Sequence, residues 1–135
     1  MIVVDANVLA SLYLPTDYTA GAEALFERDS DWVAPVLWRS EFRNILAGYM
    51  RRRTLSFDQA RDVQSEAESL LSGSEYEVES RQVLELVHDS DCSAYDCEYV
   101  ALARELGIPV VTADRQLLRA FPAFAVSPKD FVGVK

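Results

Sequence analysis

Residues 93–114 read SAYDCEYVALARELGIPVVTAD. The stretch falls into two halves at Gly107. The first is the clearest helix in the chain: Ser93 is a good N-cap residue and Gly107 a good residue for the position just past the helix end. Tyr99, Val100 and Ala103 stand three, four and seven places beyond Asp96, on one stripe of that helix. The second half, IPVVTAD, is a short branched aliphatic run that reads as a strand buried on both faces and ends in Asp114. A helix, a glycine, a buried strand and then a carboxylate is the signature of an αβ unit in a parallel sheet.

The opening of the chain uses the same device. MIVVDANVL (1–9) runs three branched aliphatic residues, Ile2 to Val4, straight into Asp5, with Asn7 two places later. Between these two strands the pattern alternates. Asn7 to Tyr13 begins a helix stopped before Pro15, and 18–28 reads as an amphipathic helix. Trp32 to Ala34 is a short strand, and 36–53 has helical apolar spacing. Ser56 and Gln59 form a capping-box pair opening a helix that SGS at 72–74 closes. A short strand is expected at 76–78, a helix at 80–89, a short helix at 115–121 and a last strand in 124–128. Strands alternating with helices imply a parallel sheet covered on both faces. The expected architecture is therefore a single three-layer α/β/α domain over 1–135, with a central parallel sheet of four to five short strands. Right-handed crossovers bring all strand C-termini to one edge, where such folds bind ligands. Asp5 and the Thr112-Ala113-Asp114 end should meet there.

Four acids stand out. Asp5 and Asp114, each taken alone, are explained best as helix N-caps following a strand. Ser93 and Asp96 match a capping box, yet the helical stripe turns Asp96 inward. Glu41 lies mid-helix with Leu37, Trp38 and Ile45 at i−4, i−3 and i+4, where no cap needs it. A carboxylate in an apolar stripe is paired or coordinated, and for Glu41 alone an ion pair and a metal role weigh equally. Taken together, four converging carboxylates repel and raise one another's pKa values. A divalent cation removes that conflict, and an all-oxygen set suits Mg²⁺ or Mn²⁺.

The 135 residues carry 13 Lys plus Arg against 22 Asp plus Glu, a formal charge of −9, which argues against a membrane-surface or nonspecific duplex-DNA binder. It leaves room for a nucleic-acid enzyme whose acidic site is filled by cations. No apolar run has the length of a membrane span and no basic leader opens the chain, so a cytoplasmic protein with reduced, partly buried Cys92 and Cys97 is expected. His88 is the one histidine, which excludes mechanisms needing a His pair.

The chain resembles the PIN domain family, and most closely its VapC-type ribonuclease toxins. The resemblance rests on VVDANVL at the start, Glu41 in SEFRNIL and, most specifically, residues 93–117. It implies that Asp5, Glu41, Asp96 and Asp114 hold Mg²⁺, with Mn²⁺ as substitute, for hydrolysis of RNA phosphodiester bonds. Asn7 and Thr112 match positions that support the acids. One-ion and two-ion versions fit equally, with Asp5 the first choice for a shared ligand. The implied partners are an RNA substrate, a cognate antitoxin whose tail lies in the groove, and a second copy in a homodimer. Arg39 and Arg43 are candidate RNA contacts, and the Arg51–Arg53 run is explained as well by the helix C-terminal dipole. The alternatives are a PIN-like binding module without catalysis, and a metal-dependent phosphatase. For the latter the chain has Asn7 in place of a second aspartate and lysines only at 129 and 135.

Overall fold

The computed structural model describes residues 1–133; the last two residues of the expected 1–135 domain lie outside the described residues. Five strands form one parallel sheet: β1 (Ile2–Val4), β2 (Trp32–Pro35), β3 (Glu75–Tyr76), β4 (Val110–Val111) and β5 (Ala125–Val126), in the order β3-β2-β1-β4-β5. The helices are α1 (Ala6–Tyr13), α2 (Thr19–Arg28), α3 (Trp38–Arg51), α4 (Phe57–Leu70), α5 (Ser80–His88), α6 (Ala94–Leu106), α7 (Arg115–Ala120) and α8 (Pro128–Gly133).

The strand order sets the layers. The chain steps from β1 outward to β2 and β3, then returns across the sheet to β4 and β5. With right-handed crossovers these two directions put α1–α4 on one face and α5–α7 on the other. In keeping with this, α1 packs on α2 and α3, α3 on α4, and α6 lies against β1, β2 and β4 with α5 beside it. The direction of travel reverses between β1 and β4, and at that switch point the strand ends leave a crevice. β1 and β4 pair with Val3 opposite Val110 and Val4 opposite Val111. The next step of that register sets Asp5 beside Thr112.

The core forms where the sequence is most apolar. Ile2, Val3, Val4, Val33, Val110 and Val111 are fully buried along the central strands. Trp38, Phe42 and Leu46 give α3 its inner stripe, with Phe42 edge-on to Tyr13 and Trp38. Leu14 is buried, and Tyr13, Phe26 and Tyr49 pack against the core. Cys92 and Cys97 are free and both fully buried, deeper than expected.

Most expected elements recur within a residue or two. The capping box of α4 is present, with Ser56 Oγ accepting the Gln59 N–H and Gln59 Oε1 accepting the Ser56 N–H. The third strand lies at Glu75–Tyr76 rather than 76–78, because Ala34 and Pro35 of β2 pair with those two residues. α8 had no counterpart in the sequence reading; Ser127 Oγ accepts the Asp130 N–H at its start and the helix packs on α2.

Gly107 closes α6 in the left-handed region at φ 67°. A Cβ there meets no atom within 4 Å, so the penalty for alanine is purely conformational. Gly107→Ala is expected to lower stability by about 1 kcal/mol. For a domain of this size that is a fall of roughly 3–5 °C in Tm, read by thermal denaturation.

Candidate active site

Each of the four acids reaches the crevice on its own element. Asp5 follows β1, Glu41 lies in the first turn of α3, Asp96 in the first turn of α6, and Asp114 follows Thr112 and Ala113 at the end of β4. All four line a single cavity of about 520 Å³. Elements from both helical layers and the two switch-point strands therefore converge as the topology dictates.

The capping explanation and the convergence hold together. Asp5 Oδ1 accepts the Val8 N–H at 2.8 Å and caps α1. Asp114 Oδ1 accepts the N–H groups of Gln116 and Leu117 at 2.8 and 3.2 Å and caps α7. Ser93 Oγ accepts the Asp96 N–H at 3.1 Å and caps α6. The caps fix where the carboxylates point, and the helices hold them at the cavity wall.

Thr112 ties the two strand ends together. It is completely buried. Its hydroxyl donates to Asp5 Oδ2 and accepts the Asp114 N–H at 3.0 Å. One hydroxyl thus orients the first aspartate and the backbone of the last. Asn7 lines the cavity but is exposed, and among the described residues its amide bonds to none of the acids.

The electrostatics are those of carboxylates short of counter-charge. Asp5 is 8% exposed, and burial lifts its pKa to about 6. The Thr112 and Val8 hydrogen bonds oppose the rise, and the charges of Glu41 and Asp114 add to it. Burial also raises Glu41, with the Tyr99 hydrogen bond opposing and Asp96 adding, and raises Asp96, with Asp114 adding. Among the described residues none of the four forms an ion pair.

The donor set fits a hard divalent cation, since every side chain offered is a carboxylate, amide or hydroxyl oxygen. Among the described residues no three carboxylates close on one point tightly enough to chelate an ion as they stand. Mg²⁺ does not demand that, because it keeps several waters and takes one or two carboxylates directly. The cavity has room for such a hydrated ion.

The two candidate arginines stand apart from the acids, and four residues appear that the sequence reading missed. Arg39 is engaged within the fold: its Nε and Nη2 donate to both oxygens of Glu75 at 2.6 and 2.7 Å, and Nη1 donates to Glu68 at 3.0 Å. Arg43 is exposed but lies outside the cavity, two residues from Glu41 and so on another side of α3. The α3 wall is made instead by Ser40 and Asn44, which flank Glu41 at i−1 and i+3. From α6, Tyr95 lines the rim and Tyr99 lies within, its hydroxyl donating to Glu41 Oε1 at 2.6 Å. Asn44 and Tyr99 each stand three residues from a candidate acid, which is the signal that marks them.

A prediction follows from the Thr112 bridge. Thr112→Val keeps shape but leaves Asp5 Oδ2 buried without its donor and the Asp114 N–H without its acceptor. We expect a loss on the order of 1–3 kcal/mol at pH 7.5, read by urea denaturation. An unchanged midpoint rules the bridge out.

Comparison with known proteins bears on the family and the fold. The family profile described as "PIN domain" matches residues 2–121. The chain is 31% identical over 125 residues to Ribonuclease VapC3 of Pyrobaculum aerophilum, covering 90% of this chain and 95% of that one. The crystal structure of PAE2754 from the same organism superposes with a TM-score of 0.75 at 20% identity, over 97% of this chain and 85% of that one. A toxin-antitoxin complex from Klebsiella pneumoniae superposes with a TM-score of 0.70 at 14% identity, over 95% of this chain and 98% of that one.

Proposed function

The chain belongs to the PIN domain family, and from that premise we propose that it is a divalent-cation-dependent endoribonuclease, the toxin of a VapBC-type toxin–antitoxin pair. The observation that carries the proposal is the gathering of Asp5, Glu41, Asp96 and Asp114 in one cavity at the β1/β4 switch point, with no basic side chain among the described residues paired to them. In this reading Asp5, Asp96 and Asp114 hold Mg²⁺, or Mn²⁺ in its place, and Glu41 completes the set. The bound cation supplies Lewis acidity toward a phosphoryl oxygen and lowers the pKa of an attacking water.

The chain's own residues do the positioning. Thr112 and the Val8 N–H keep the Asp5 carboxylate in one orientation, so no rotamer search accompanies binding. Tyr99 anchors Glu41 from the opposite layer. Asn7 stands at the mouth, where its amide can take a hydrogen bond from a ligand. The acidic surface is reversed in sign locally once a cation is held, which admits a phosphodiester. A solved toxin-antitoxin complex shares this fold, which supports extending the proposal to a cognate antitoxin; the family resemblance implies that the antitoxin's tail lies in this cavity. A homodimer and a cytoplasmic location complete it. Among the described residues no helix is long and apolar enough to cross a membrane.

The test is cleavage of single-stranded and structured RNA by the purified chain under Mg²⁺, Mn²⁺ or EDTA. Cleavage with either metal and none with EDTA is expected. A chain that cuts nothing under either metal is a binding module, and one that turns over small phosphomonoesters instead is a phosphatase; both results overturn the proposal.

A further inference from the structure

Tyr95 is 62% exposed in the first turn of α6, one residue before Asp96, and it is one of the residues that line the acid cavity. Its neighbour one turn on, Tyr99, is buried and serves Glu41. Packing therefore explains Tyr99 and not Tyr95, whose hydroxyl has no hydrogen-bond partner among the described residues. Across the cavity, on the helical layer behind the opposite face of the sheet, Asn44 is exposed with an amide that is likewise unpartnered among the described residues. Among the described residues no arginine, lysine or histidine lines the cavity. A strand entering it finds no ion-pair partner among them apart from the cation. What the walls offer is the Tyr95 aromatic face and two side-chain amides, Asn7 beside Asp5 and Asn44 on the wall across from Tyr95, each with a donor and an acceptor. That is the chemistry that takes an unstacked nucleobase: the ring stacks and an amide reads an edge.

We propose that Tyr95 and Asn44 hold one nucleobase of the RNA strand beside the scissile phosphate, Tyr95 supplying affinity and Asn44 base preference; this rests on the ribonuclease reading above. Both are positioning residues. Stacking is tolerant of base identity, so loss of the ring weakens all sequences about evenly. Loss of the amide changes the ranking of bases.

The experiment maps the cut made by the wild-type chain in a synthetic single-stranded oligoribonucleotide under Mg²⁺, then replaces each flanking nucleotide in turn by an abasic one. For wild type, one abasic substitution is expected to raise KM roughly ten- to a hundred-fold, the contribution of one stacked base, with a smaller change in kcat. Tyr95→Ala is expected to raise KM on the intact strand by a similar factor and then to be indifferent to that abasic site. Tyr95→Phe and Tyr95→Trp restore KM. Asn44→Ala narrows the spread of kcat/KM among the four bases at that position. Mn²⁺ affinity without RNA, read from the rise in Tm on titration, stays at the wild-type value in Tyr95→Ala.

An unchanged KM in Tyr95→Ala, abasic and alanine penalties that multiply, or a Tyr95→Ala chain with weakened Mn²⁺ binding overturns the base clamp while leaving the nuclease standing. Failure of the wild-type chain to cut any RNA under either metal is a different result, and it removes the ribonuclease reading itself.

Discussion

Replacing Asp96 by asparagine is expected to lower kcat/KM for RNA cleavage by at least about a hundred-fold without lowering the melting temperature. Loss of a group that merely supports a metal ligand reduces affinity or activity about 10- to 100-fold, and loss of a ligand does no less. The stability half comes from the surroundings of Asp96. Its carboxyl is raised by burial and by the charge of Asp114, and only a Ser93 hydrogen bond opposes this. Neutralising the side chain relieves that repulsion, and the Ser93 cap uses the Asp96 backbone N–H, which the substitution keeps. Initial rates at saturating Mg²⁺, with melting curves of both chains, make the check. A variant within ten-fold of wild type removes Asp96 from the catalytic assignment. A variant that melts lower shows damage to α6.

Asp5→Asn should be more stable than wild type in the absence of divalent cations, by on the order of 1–2 kcal/mol near pH 7.5. The folded carboxyl titrates near pH 6 against 3.8 for its ordinary value. Between these two pH values the folded chain keeps a proton that the unfolded chain has released, so wild-type stability falls as pH rises through the window. Above about pH 6 the whole difference, roughly 3 kcal/mol, opposes folding. Asparagine cannot ionise and is as good an N-cap, so it avoids most of that loss. Its amide meets the Thr112 hydroxyl with a donor where the carboxylate offered an acceptor, which offsets part of the gain. Melting in EDTA at pH 7.5 and at pH 4 provides the measurement. The advantage should vanish at the lower pH, where wild-type Asp5 is protonated. Saturating Mg²⁺ should raise wild-type Tm and leave the variant nearly unmoved, since binding to the folded state alone stabilises it. A variant less stable at pH 7.5, or an advantage independent of pH, contradicts the burial of an ionisable Asp5.

How much of this could be read from the chain depended on the distance between partners. The ends of β1 and β4 were legible because buried aliphatic runs ending in aspartate have one natural place in a parallel sheet. Ser56, Ser93 and Gly107 were legible because caps act within a few residues. Glu41 was legible because an acid in an apolar stripe is anomalous locally. The fate of Arg39 was not, since Glu75 lies 36 residues away on an edge strand whose pairing only the fold creates. Tyr99 read only as a member of the Asp96 stripe, because nothing near it in sequence reveals that its hydroxyl ends at Glu41, 58 residues earlier. β3, at two residues, is too short for periodicity to fix its bounds, whereas the last strand fell within the expected 124–128.

Strand β1 is synthesised before every other strand, yet it finishes at the middle of the sheet, and the contact that closes the cavity joins Asp5 to a residue 107 positions later. At translation speeds of about 5–20 residues per second, that interval lasts on the order of 5–20 s. For most of it a nascent chain on the ribosome carries Asp5, and Glu41 once that is made, with no Asp96 or Asp114 to join them. The pairing that completes the cavity is also non-local and parallel, the slow kind to form. On the proposed site assignment, a chain surrounded by RNA during its own manufacture is expected to stay inactive until Asp114 has emerged.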